Sequence, residues 1–456
     1  MFLFKSSKFR TTALLLALIF SPFPFYGQEN EQTRFFELEN GLKVFLYEKH
    51  TLPLVNFAFA VNLGSKDESE ETNGLVHILE HYILFRGTEF RSGDEISRDT
   101  RRHGAYFNAH TGRDLAFFEL TLPSEYVDFA LKNQKEILFS LKITQEELDE
   151  EKQVILEEIS QIEDDPKKYA TSLVYQNLFE NHPYQRPIYG KREIVEAVTV
   201  GQIEKFYKSY FVPSNCALAV VGDFRMKDME EKIREIFGDL KNNGFTPQKF
   251  EKVKPLKKNV EIERVMDVNT AYLVIGILGP DYNHPDQYAI DVLTEILGRG
   301  INPMLNYPLR GRRRHVETIS MSYGSYMYGG CILIYLTLDP KKIKYAKQET
   351  IRFLKKVRSE NFSKKDFLGE NQLYAWDFLE SAKNQLKFKV HQSQERGLLL
   401  ATSIARFTLL NEDPNRGSYL ENIEKITSSD LRKVSGEYLS KGRYVSVAII
   451  PKKKKQ

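Results

Sequence analysis

The chain has 456 residues, 41% of them hydrophobic and 28% charged, and a formal net charge of +3 at pH 7. That length exceeds one ordinary core, so two or more domains are expected, and the near-balanced charge gives no footprint for nucleic acid. The excess lysines of "KVKPLKK" and the terminal "PKKKKQ" read as solvated segments.

The first residues, "MFLFKSSKFRTTALLLALIFSPFPFYG", carry Lys5, Lys8 and Arg10, an apolar run from Ala13 to Phe20, and then prolines. This is the layout of a secretory signal over residues 1–27. The run is too short for a bilayer, which takes about 20 apolar residues. Gly27 is small enough for the last position before a cut, but Phe25 is large, and an uncleaved anchor is the alternative. The mature chain is expected to be exported, periplasmic or secreted, with no stable membrane span.

Next, "FFELENGLKVFLYE" holds two strand runs around Asn40-Gly41, a hairpin signal. Further strands are expected at Leu54–Val61, Arg113–Leu122 and Ala217–Val221, with helices between them. The fold class is therefore α+β, with antiparallel pairing favoured over a doubly wound parallel sheet.

Between the first strands lies "NGLVHILEHYILFRGT", Asn73 to Thr88. On a helix, His77 and His81 project from one face a turn apart, which suits two ligands on one metal ion. Glu80 is displaced around the helix, where it reaches water without being a ligand. The spacing H-x-x-E-H is the reversed zincin signature. Two satisfied core histidines are the rival reading. His103 and His110, further on, read as surface polar residues.

A long helix follows in "ITQEELDEEKQVILEEISQIEDDP", with Thr144 as N-cap and Glu147 three residues later. Glu151 and Glu158 share a face, with Val154 and Ile155 expected to pack that face inward. Solvated glutamates are the alternative. Cys216 and Cys331 sit in apolar strand-like runs and read as small buried hydrophobes, not as a disulfide.

The chain reads as built twice. "VTVGQIEKFYKSYFVPSNCALAVVG" from Val198 and "ITSSDLRKVSGEYLSKGRYVSVAII" from Ile426 align without a gap. Each is a Thr cap, an amphipathic helix, a turn and a β-branched strand. A repeat this long indicates duplication of a whole domain. The second half's counterpart of the histidine helix, around Ile290 to Leu297, has no histidine. The expected division is 28–240 as catalytic domain, 241–260 as a Lys, Asn, Gly and Pro-rich linker, and 261–456 as a homologous non-catalytic domain.

From about Phe35 to Phe224 the chain resembles the insulinase/pitrilysin family of zinc metallopeptidases. The resemblance rests on "GSKDESEETNGLVHILEHYILFRGT", "GAYFNAHTGRDLAFFEL", "EEKQVILEEISQIEDDP", "HPYQRPIYG" and "YFVPSNCALAVVGDF", in the family's order and spacing. It implies one zinc ion per chain, held by His77, His81 and Glu158. It also implies Glu80 as the catalytic base and Glu151 as the carboxylate that supports a ligand or the base. Asn108 and Ala109 match the family's edge strand, which binds an extended peptide by strand addition. The implied function is an endopeptidase of peptides or unfolded segments; the alternative is a non-catalytic or scaffold subunit of a peptidase-like complex.

Two departures stand out. Five residues separate His81 from Gly87-Thr88, where the family usually has four. In the second half, "LRGRRRHVETISMSY" keeps the family's arginine as Arg310 but has Glu317 where its tyrosine belongs. Tyr323 does not substitute. The expected assembly is a dimer with a paralogous chain that supplies the arginine–tyrosine pair, with an active homodimer as the rival.

Overall fold

The structure, a computed structural model, describes residues 32–300, 303–310, 315–360, 362, 378–411 and 418–452. The signal segment expected at 1–27 lies outside them. Among the described residues no helix is long and apolar enough to cross a membrane.

The first half opens with β1 (Thr33–Glu37), β2 (Lys43–Glu48) and β3 (Leu54–Val61), then α1 (Leu75–Phe85) and α2 (Gly93–Arg102). The hairpin β4 (Tyr106–Thr111) and β5 (Ala116–Pro123) leads into α3 (Val127–Phe139), α4 (Gln145–Asp164) and α5 (Pro166–Leu178). It closes with α6 (Arg192–Ala197), α7 (Val200–Tyr210), β6 (Cys216–Gly222) and α8 (Met226–Phe237). The second half begins with β7 (Val260–Met266), β8 (Ala271–Gly279), α9 (Asp286–Thr294) and α10 (Asn306–Arg310). Then come β9 (Thr318–Tyr326), β10 (Gly329–Leu338), α11 (Ile343–Val357), α12 (Phe378–Glu395) and α13 (Gly397–Leu410). It ends with α14 (Tyr419–Lys425), α15 (Ser428–Val434) and β11 (Tyr444–Pro451).

Strand order is β1-β2-β6-β3-β5-β4 in one sheet and β7-β11-β8-β10-β9 in the other, the same plan apart from β1. Pairing is antiparallel except for β2 with β6 and β7 with β11. Each parallel pair joins strands from opposite ends of its half, with the other strands and helices of that half in the long connection that parallel strands require. The class is α+β, with one parallel pair in each sheet that the antiparallel expectation did not include. The turn at Asn40-Gly41 closes the β1–β2 hairpin, with Gly41 at φ 86°. The two repeats start alike: Thr199 accepts from Gln202 N, and Thr427 from Asp430 N.

Each sheet packs one face on its own helices, forming one core around α1, α3, α4 and α8 and another around α9, α11 and α12. The opposite faces are covered by exchange. Helix α13 of the second half lies on β3 and β6 of the first, setting Leu400, Ala401, Ile404 and Ala405 against Phe45, Ala58, Ala60, Phe117, Ala219 and Val221. Helix α5 of the first half lies on β8 and β11 of the second, setting Ala170, Val174 and Leu178 against Val274, Leu333, Val445 and Val447. Small residues permit the close approach; at Gly276 of β8 an added Cβ would collide with Val174.

Polar contacts cross the same seam. Asp114, which accepts from the Tyr184 hydroxyl of its own half, also accepts from the Met327 amide of the other, and Thr402 donates to Glu119 at 2.5 Å. The stretch between α8 and β7 runs along this boundary, where the Glu251 carbonyl meets His182 Nε2 at 3.1 Å and the Val253 amide donates to the Tyr328 carbonyl at 2.7 Å.

Two expectations about side chains are corrected. Val154 is 45% exposed while Ile155 is fully buried. Val154 sits about 60° around α4 from Glu151, on the side away from Ile155 and the core. His103 and His110 are half-buried, not surface residues, because each stacks on a ring: His103 on Phe129 at 3.9 Å and His110 on Phe117 at 4.8 Å. Cys216 and Cys331 are buried and unpaired.

Candidate metal centre

Helix α1 is fixed by its apolar side: Leu75, Val76, Ile78, Leu79, Tyr82 and Ile83 are all buried in the first core. Its start has no side-chain cap of its own, since Gly74 at φ 107° occupies the N-cap. Glu68 serves instead, accepting from the Val76 amide at 2.9 Å and from Asn73 Nδ2 at 2.7 Å. Burial pushes the Glu68 carboxyl up to about 8 despite those donors. The remaining face of α1 carries His77, Glu80 and His81 towards α4.

Helix α4 begins at Thr144, whose hydroxyl accepts from Glu147 N, and it buries Leu148, Glu151, Ile155 and Ile159. Glu158 continues the stripe of Glu151 and Ile155, with 37% of its side chain exposed. Its Oε2 lies 3.5 Å from His77 Nε2 and 3.6 Å from His81 Nε2. One ligand atom from each of the three residues lies within 4.8 Å of the others. Four-coordinate zinc with bonds near 2.0–2.1 Å has ligand-to-ligand edges of about 3.3 Å. The three atoms are thus too far apart for good hydrogen bonds and spaced for a cation between them.

Behind His81, Glu151 Oε2 meets Nδ1 at 2.9 Å, and Arg86 Nε donates to Glu151 Oε1 at 2.7 Å. That arrangement turns His81 Nε2 towards Glu158 and fixes its tautomer, as the outer contacts of metal-bound histidines do. Glu151 therefore touches a prospective ligand, not the reacting centre. His77 Nδ1 is buried with no partner.

The electrostatics fit the same occupant. Burial, followed by the charge of His81, lowers His77 to about 3, so its imidazole is neutral. Burial also opposes charge on His81, but the Glu151 and Glu158 carboxylates prevail and raise it to about 9. Burial pulls both glutamates up, but His81 with Arg86 holds Glu151, and His81 with His77 holds Glu158, below the usual carboxylate range. Without metal the centre therefore keeps one proton on His81. That proton stabilises the metal-free fold fully below the ordinary histidine range, and the contribution is lost as pH rises through about 9.

Metal must displace it. Each zinc ion bound at pH 7 should release about one proton, and apparent affinity should rise about tenfold per pH unit below that point. Titration calorimetry in two buffers of different ionisation enthalpy measures the release; none at pH 7 would contradict this charge assignment.

Glu80, half-buried, stands one residue before His81 and faces Thr111 at the end of β4. Burial raises its carboxyl above the usual range, more than the Thr111 hydroxyl and amide lower it. Strand β4 is the edge of its sheet; Asn108 on it is half-buried and Ala109 buried. Arg310 and Glu317 are exposed in the second half, Arg310 at the end of α10. Tyr323 is buried and donates to the Pro280 carbonyl at 2.6 Å. The structure thus brings together His77, Glu80, His81, Glu151 and Glu158, and no described contact joins Arg310 to them.

Two residues that sequence reasoning did not single out belong here. Arg86 anchors Glu151, and Tyr189 packs edge-on against the His77 ring with centroids 4.8 Å apart. The only signal for Tyr189 was its place in the quoted "HPYQRPIYG".

The equivalent helices of the second half hold something else. The turn that continues α9 carries Glu295, 1% exposed, and Lys389 of α12 binds both its oxygens at 2.7 and 2.6 Å. Asp291 beside it accepts from the Tyr419 hydroxyl at 3.1 Å, and burial raises its carboxyl to about 7.

Comparison with known proteins agrees with this asymmetry. The family described as "Insulinase (Peptidase family M16)" matches residues 43–192, and "Peptidase M16 inactive domain" matches 197–370. An uncharacterized zinc protease of Bacillus subtilis is 24% identical over 360 residues, 78% of this chain and 83% of its own. One of Rickettsia felis is 25% identical over 410 residues, 87% of this chain and 98% of its own. The crystal structure of a protease from Helicobacter pylori superposes with a TM-score of 0.83 at 22% identity, over 92% of this chain and 100% of that one, a likeness of fold.

Proposed function

The chain belongs to the insulinase/pitrilysin family, and from that premise we propose that it is a zinc-dependent endopeptidase of peptides or unfolded segments. The observation that carries the reading is the convergence of His77, His81 and Glu158, with Glu80 alongside and a sheet edge next to it.

His77, His81 and Glu158 would hold the ion, and three protein ligands leave a coordination position open, as in catalytic zinc sites. Zinc, once bound, supplies a Lewis acid that makes water nucleophilic near neutral pH. Glu80 takes a proton from the attacking water and returns it to the departing amine. A carboxyl raised above its usual range by burial is better matched to that two-way transfer. Glu151, tied to Arg86, keeps His81 oriented. The free edge of β4 at Asn108 and Ala109 offers backbone groups to an extended peptide, which favours unfolded substrates over any one side-chain sequence.

The proposal extends to export and to pairing with a second chain. Export rests on residues 1–27 as a signal. Pairing with a second chain rests on Arg310 and Glu317, which offer this centre no tyrosine.

The test uses the purified chain and an unstructured peptide. Cleavage should stop in chelator and return with zinc. Cleavage that persists in chelator would end the zinc reading, and full activity of the chain alone would remove the need for a partner.

A further inference from the structure

Within this chain the hydrolytic reading leaves one role unfilled. When water attacks a peptide carbonyl, negative charge builds on its oxygen, and a fixed donor aimed there is among the largest contributors to rate. Arg86 is committed to Glu150 and Glu151, and Arg186 to Glu70. Tyr189 is not committed: among the described residues its hydroxyl makes no hydrogen bond, and the residue is 37% exposed.

Its position is rigid. Gly190, at φ 87°, presses on the residues that start α1; an added Cβ would lie 2.8 Å from the Asn73 carbonyl oxygen and from the Gly74 Cα. Asn73 Nδ2 also donates to the Pro187 carbonyl at 3.0 Å, and the Gly190 amide donates to the same carbonyl at 3.2 Å. The short turn from Pro187 to Gly190 is therefore fastened to the helix that bears the histidines. Tyr189, between its fixed ends, meets the His77 ring at 85°.

We propose that Tyr189 is a catalytic residue, its hydroxyl donating a hydrogen bond to the substrate's carbonyl oxygen as negative charge develops there. The inference rests on the hydrolytic reading and adds a residue to it. The charges of Glu158 and Glu80 both reach the phenol, which lies beside the centre, and an ordinary phenol, titrating near about 10, keeps its proton at neutral pH and remains a donor. The attacking water's oxygen forms the new C–O bond, the carbonyl π electrons move onto oxygen, and Tyr189 stabilises that oxygen without transferring its proton. Lys168, whose charge also reaches Glu158, is the competing donor.

The test compares wild type, Tyr189→Phe and Lys168→Met, all with measured zinc content. Tyr189→Phe keeps the ring against His77 and removes only the hydroxyl. It should lower kcat about 10²–10³-fold and leave KM and zinc content near wild type. Binding of a phosphinic peptide, which mimics the tetrahedral state, should weaken by a similar factor, while Lys168→Met should change little. Unchanged kcat in Tyr189→Phe, a loss confined to KM, or the larger loss in Lys168→Met would overturn the assignment and leave the hydrolytic reading standing. A zinc-loaded wild type that cleaves nothing, alone or purified together with the chain it pairs with, would overturn both.

Discussion

Glu80→Gln should retain a full complement of zinc and lose about 10²–10⁴-fold in turnover. The expectation follows from its place: Glu80 is on the ligand helix but outside the group formed by His77, His81 and Glu158. Glutamine keeps the shape and can still face Thr111, but it cannot accept and return a proton. Metal content by atomic absorption, together with kcat on an unstructured peptide, separates the two roles. A variant that loses zinc would make Glu80 a ligand, and one that keeps its turnover would move the base elsewhere.

The second large effect is on folding. Residues 32–237 or 260–452 produced alone should fail to fold stably, and the whole chain should unfold in one transition. Chains of this size ordinarily come apart domain by domain. Here each sheet would lose the cover of a helix from the other half, baring Phe45, Phe117 and Val221 on one side and Val274, Leu333 and Val447 on the other. Leu400→Ala, a change in the second half, should cost about 2–5 kcal/mol and destabilise both halves together. Calorimetry decides: two resolved transitions, or a folded isolated half, would show that the exchanged helices are dispensable.

The parts of the site legible in the sequence were those set by local spacing. Two histidines one turn apart and two glutamates two turns apart give their own faces on a helix, and Thr144 announced the start of α4. That α1 and α4 pack together was not readable from spacing; it came from resemblance. The exchange of α5 and α13 was invisible because it depends on which sheet face lacks cover, a property of the assembled molecule. One trace existed: "GLLLATSIARFTLL" is apolar nearly all round, the pattern of a helix buried on every side. Val154 misled because a stripe defined by residue spacing has two flanks, and only one of them met the core. Tyr189 escaped notice because its contact with His77 joins residues more than a hundred positions apart, through two glycines whose closeness no periodicity reveals.

The Glu295–Lys389 pair has a consequence for how the molecule tolerates metal scarcity. Between the helices that correspond to α1 and α4, the second half has a tethered ammonium that no chelator can strip. Starving the protein of zinc should therefore silence the chemistry while the second half stays whole. The pseudo-site takes nothing from a scarce supply, and the apoprotein waits, folded, for its ion.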